Sequence, residues 1–93
     1  MKIFGVEIKT RNKREEKLVS FIRFSIIQTT TNPRYVRRDV SEIAGQITAL
    51  FFMDMIDVKE YETLNDRRIE WEFGVLIKAA NASQSFRKGG AAA

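Results

Sequence analysis

The stretch Arg68-Ile69-Glu70-Trp71-Glu72-Phe73-Gly74-Val75-Leu76-Ile77-Lys78 decides how the chain is read. Ile69, Trp71, Phe73, Val75 and Ile77 alternate with Glu70, Glu72, Gly74 and Lys78. An apolar period of two predicts a half-buried strand, and this is the clearest strand signal in the chain. Residues 57–63, Asp-Val-Lys-Glu-Tyr-Glu-Thr, admit two readings. Val58, Tyr61 and Leu64 continue a helix, or the segment is a strand that turns at Asn65-Asp66. Beside so strong a strand the second reading is preferred, giving a hairpin of residues 57–64 and 68–79.

The preceding segment has helical spacing. Val40, Ile43, Ala44, Ile47, Leu50 and Phe51 share one side at a period of 3.6. Asp39 and Glu42 have the spacing of a capping box. The expected helix covers residues 39–56. Its last two turns, residues 49–56, are apolar nearly all round. A sheet covers one side of such a helix, so Phe52, Met53 and Ile56 need a second surface. In a domain this small the expected surface is another copy of the chain; a wrap by the flanking strands is the alternative.

The N-terminal third also reads as strands. Phe4, Val6 and Ile8 alternate with Ile3, Gly5, Glu7 and Lys9. Residues 10–17 are polar and form a loop. Residues 18–30 carry Leu18, Val19, Phe21, Ile22, Phe24, Ile26 and Ile27 on both parities, which predicts a strand covered on both faces or a long, bent one. Pro33, the single proline, ends it. The expected fold class is therefore α+β: a small antiparallel sheet of three to four strands with one helix packed across it, in ββ-α-ββ order. Residues 1–80 form a single domain. Residues 81–93 are expected to be a flexible C-terminal tail, with Phe86 its one anchor.

Composition sets further bounds. The chain has 93 residues, 44% of them hydrophobic and 30% charged, and neither cysteine nor histidine. Disulfides, thiol nucleophiles, imidazole bases and Cys/His zinc sites are excluded. No apolar run approaches the roughly 18 residues of a membrane span. Met1-Lys2-Ile3-Phe4-Gly5 turns polar too soon for a signal peptide, so a cytoplasmic location is expected. The glycines at 5, 45, 74, 89 and 90 make no phosphate loop, and no serine stands in a nucleophile elbow.

Two acidic features are candidates for catalysis. Asp54 is the only acid inside an apolar run, where burial raises a carboxyl pKa. Glu70 and Glu72, on one face of the expected strand, stand about 7 Å apart. A solvated helix flank and a solvated strand face account for both more simply. The chain is not expected to be an enzyme, and no cofactor, metal or small-molecule substrate is implied.

The charges are segregated. Residues 1–38 sum to +7, residues 39–76 to −6 and residues 77–93 to +3, within a net charge of +4. Halves of opposite sign pair inside a fold, pair between copies head to tail, or leave the basic half for a polyanion. The leading expectation is a non-enzymatic binding or assembly subunit, a homo-oligomer or one docked on a partner protein, with its interface at Phe52, Met53 and Ile56. Small accessory or structural proteins of phages and mobile elements have this character. The alternative is a nucleic-acid-binding protein. It contacts phosphates through Arg11, Lys13, Arg14 and Lys17 on one loop and through Arg34, Arg37 and Arg38 before the helix, with Tyr35 available to stack.

Overall fold

Trp71 and Val75 face the core from a helix, not a strand. The computed structural model describes the backbone of residues 1–92 and the side chains of residues 1–82. It contains a two-stranded antiparallel hairpin, β1 (Lys2–Ile3) and β2 (Val6–Glu7), followed by three helices. These are α1 (Lys13–Thr31), α2 (Val36–Phe52) and α3 (Val58–Ala92). The expected sheet of three to four strands with one helix is thus overturned: residues 18–30, 58–64 and 68–79 are all helical, and Asp57 stands just before α3. Over the expected tail of residues 81–93 the backbone continues α3 as far as Ala92; Ala93 and the side chains beyond Ala82, including Phe86, lie outside the described residues.

The false strand in α3 has a physical origin. Residues i and i+4 of a helix share a side, and a second row set off by two positions lies roughly opposite. Leu64, Trp71 and Val75 form an inward row, with Leu64 and Val75 buried and Trp71 half-buried. Ile69, Phe73 and Ile77 form an outward, exposed row. Read in order, the two rows interleave and imitate a period of two. In α1, likewise, Val19, Ile22 and Thr29 are buried with Ile26 half-buried, whereas Phe21, Phe24 and Ile27 are exposed. Apolar residues on both parities signalled two helix faces rather than a doubly covered strand.

The helix ends were written in short-range chemistry. The Asn12 side chain accepts from the Glu15 backbone N–H at 3.0 Å and caps α1. Thr29, Thr30 and Thr31 are β-branched, but each hydroxyl donates to the carbonyl four residues back, at 2.8, 2.6 and 2.9 Å. Helix α2 starts at Val36, earlier than the expected residue 39. Its N-cap is Tyr35, without a side-chain cap, and Asp39 lies in the first turn. The true capping box opens α3: the Asp57 carboxylate accepts from the Glu60 N–H at 2.8 Å, and the Glu60 carboxylate from the Asp57 N–H at 3.0 Å.

Helix α2 stops at Phe52 through a Schellman arrangement. The Met55 N–H donates to the Leu50 carbonyl at 3.0 Å, and the Asp54 N–H to the Phe51 carbonyl at 3.1 Å. Asp54 takes the left-handed conformation this needs, at φ 57°. The chain then turns Met55 and Ile56 into the core.

Helix α2 makes the principal contacts with both α1 and α3. The core joins Ile3 and Ile8 of the hairpin segment to Val19, Ile22, Ile43, Ile47, Leu50, Met55, Ile56 and Leu64. The hairpin turns at Phe4 and Gly5, both with positive φ, 49° and 80°, the pattern of a type I′ turn. Arg67 of α3 holds that turn, donating to the Phe4 carbonyl at 2.6 Å, while the Phe4 ring rests 5.5 Å from Trp71. A Cβ on Gly5 would stand 2.8 Å from the Arg67 guanidinium. Helix α3, at 35 residues, is about 52 Å long and sets the long axis of a 56 × 24 × 18 Å body.

Asp54 is replaceable by the residue its backbone favours. Asp54→Gly is expected to raise the thermal midpoint and Asp54→Val to lower it, by about 1 kcal/mol each, or roughly 4–8 °C for a domain of this size. Calorimetry checks this; a stabilised valine variant would refute the assignment of Asp54 as a helix stop.

Candidate binding surfaces

The outer side of α1 carries charge at one end and aromatic rings at the other. Lys13, Lys17, Phe24 and Gln28 repeat on one side at helical spacing, with Arg14 and Phe21 beside them. All are exposed. Phe21 and Phe24, each more than half exposed, line a groove of about 380 Å³ between α1 and α2. The α2 side of the groove is Tyr35, Arg38, Asp39, Glu42 and Gln46. The guanidinium groups of Arg34 and Arg38 sit 5.6 and 4.8 Å from the Tyr35 ring centre. Arg38 also donates to Asp39 at 3.4 Å and stands 3.9 Å from Glu42. Gln46 brings the one buried side-chain oxygen among the described residues that has no hydrogen-bond partner.

The structure therefore divides the residues expected to meet phosphate. Lys13, Arg14 and Lys17 share a helix face with Phe21 and Phe24, and Arg34, Tyr35 and Arg38 gather at the groove. Arg37 lies apart, with Val36 and Val40, against Leu76, Ala79 and Ala80 of α3. Arg11 is occupied. Its guanidinium grips the Glu15 carboxylate through bonds of 2.7–3.1 Å, and its Nη2 donates to the Met53 carbonyl at 2.9 Å. The Arg11 N–H donates to Glu15 as well, at 2.8 Å. This clamp ties the start of α1 to the end of α2. The hydrogen bonds from Arg11, with its positive charge, hold the Glu15 carboxyl below its ordinary range, and the same bonds, with the negative charge of Glu15, raise Arg11 above its own.

The residues of the expected apolar interface are separated. Phe52 is 76% exposed and Met53 40%, at the corner after α2, whereas Ile56 is buried in the core. Phe52 meets Phe51 edge-on at 5.7 Å, and Phe51 lies 5.3 Å from Tyr61. Glu70 and Glu72 do not form a pair. On a helix, positions two apart point in divergent directions. Glu72 is bound to Arg68, and Glu70 is exposed on the other side. Asp54 is exposed and acts in the backbone turn. Among the described residues no three Asp or Glu side chains are placed to hold a metal ion, and no helix is long and apolar enough to cross a membrane.

A second surface escaped the sequence reading. Ile69, Phe73 and Ile77 are 50%, 68% and 47% exposed on the outer side of α3. Glu62, Asp66 and Glu70 lie along the same side. Their i, i+4, i+8 spacing was the available signal. It was masked by the inward row that interleaves with it. Comparison with known protein families, with curated proteins and with solved structures returns no match.

The clamp makes stability depend on acid. Because the folded-state Glu15 pKa is lowered, its contribution is present at neutral pH. It is lost as the pH falls below the ordinary value of 4.5 toward the lowered one. Chemical denaturation from pH 7 to 3 should show the gap between wild type and Glu15→Gln closing. A gap that is constant with pH would refute the charged clamp.

Proposed function

We propose that this chain is a non-enzymatic assembly subunit that associates with further copies of itself. The observation that carries the reading is the second apolar row on α1 and on α3. Phe21, Phe24, Ile69 and Phe73 are each at least half exposed among the described residues. Clustered exposed apolar side chains rimmed by charge mark association surfaces. Phe52 and Met53 add an apolar corner at the end of α2. The reading agrees with the segregation of charge between the first 38 residues and the next 38.

A second reading rests on a different observation. Lys13, Arg14, Lys17, Arg34 and Arg38 border exposed Phe21, Phe24 and Tyr35. Cations interleaved with aromatic rings suit single-stranded nucleic acid, whose phosphates meet the cations and whose bases stack on the rings.

Light scattering after size exclusion separates the two. The assembly reading expects a mass above the 10.8 kDa of one chain at low salt and near 1 M salt, where the Debye length is about 3 Å. A single-chain mass at both salts, up to millimolar protein, would refute it. The nucleic-acid reading expects an oligonucleotide to bind with log affinity falling by roughly 0.7 per phosphate neutralised on a single strand. Binding absent at low salt, or indifferent to salt, removes that reading.

A further inference from the structure

The two outward rows have the same layout with opposite charge. On α1 the row runs Lys13, Lys17, Phe24 and Gln28; on α3 it runs Glu62, Asp66, Phe73 and Ile77. Lys17 stands four residues after Lys13, as Asp66 stands four after Glu62. Phe24 follows Lys17 by seven residues, as Phe73 follows Asp66. Positions at these intervals share one side of a helix, so each row is a continuous strip. Both strips are exposed throughout, and each has its charged end toward the helix N-terminus.

We infer that the outer side of α3 of one copy lies parallel along the outer side of α1 of the next, at the mouth of the α1–α2 groove. In that register Lys13 meets Glu62, Lys17 meets Asp66, and Phe24 meets Phe73. Ser20 receives Ile69, and Gln28 receives Ile77. The partner is a second copy because both complementary strips belong to the same chain. Charge complementarity sets register and direction, while the aromatic contact supplies an apolar centre that salt does not screen. The contact is heterologous: each copy offers one strip of each kind, so copies join head to tail.

This inference rests on the assembly reading, and the test separates the two. Phe24→Asp and Phe73→Asp alter side chains that are 57% and 68% exposed, so both variants should keep wild-type helicity by circular dichroism. By light scattering each variant alone is expected at single-chain mass. Phe24→Asp retains a working α3 strip and Phe73→Asp a working α1 strip, so their equimolar mixture should form a 1:1 dimer that grows no further. A mixture that stays at single-chain mass while wild type associates would overturn the inference and leave the assembly reading standing. A wild type of single-chain mass would remove both. The register has its own test. Lys17→Glu and Asp66→Lys should each weaken association about tenfold or more, and the double variant in one chain should restore it. A double variant as weak as its weaker parent would overturn the parallel register.

Discussion

A helix in a three-helix body of this size has one side to bury, and α1 and α3 each carry apolar residues on two. That constraint orders the rest of the molecule. The inward rows, Val19 and Ile22 on α1, Ile43, Ile47 and Leu50 on α2, and Leu64 on α3, meet in one core closed by Ile3, Ile8, Met55 and Ile56. The outward rows are left over. Among the described residues Phe21, Phe24, Ile69 and Phe73 stay at least half exposed. Burying a large apolar side chain is worth roughly 1.5–3 kcal/mol. Leaving Phe21, Phe24, Ile69 and Phe73 exposed forgoes much of that gain within the chain.

The charges follow a related division of labour. Glu15 is buried, yet stays ionised because Arg11 surrounds it with donors and positive charge. Through Arg11 it also reaches the Met53 carbonyl, so one ion pair joins two chain segments that are distant in sequence. Lys13, Arg14, Arg37 and Arg38 stand in the first turns of α1 and α2, where the helix dipole disfavours cations. Asn12, Glu15 and Asp39 offset that cost locally.

Part of this was legible in short-range signals: the α2 period and the stop at Pro33 act within a few residues. The turn at Phe4-Gly5 and the caps at Asn12 and Asp57 are as local, but they fall in stretches that alternation and polarity assign to a strand or a loop. What misled was the interleaving of two helical rows. Ile69, Trp71, Phe73, Val75 and Ile77 are consistent with a strand as long as all five face one core. They are consistent with a helix once Ile69, Phe73 and Ile77 are allowed to face away from it. A rule that sends every apolar residue inward chooses the strand. Local reading fails most where residues answer to something other than the chain's own core, and here that place is the proposed contact surface.

Legible in the residues alone are the segregation of charge, the lack of thiols and imidazoles, and the helical period of α2. Each follows from residue type or from neighbours within one or two turns. Packing of the whole chain set which apolar row of α1 and of α3 turns inward. It also placed Arg11 in a clamp while Lys13, Arg14 and Lys17 stayed free of it, and sent Ile56 to the core while Phe52 stayed outside. The reason is that burial belongs to the packed whole. A side chain is inside or outside according to what chain segments far away in sequence cover it, and periodicity cannot state that.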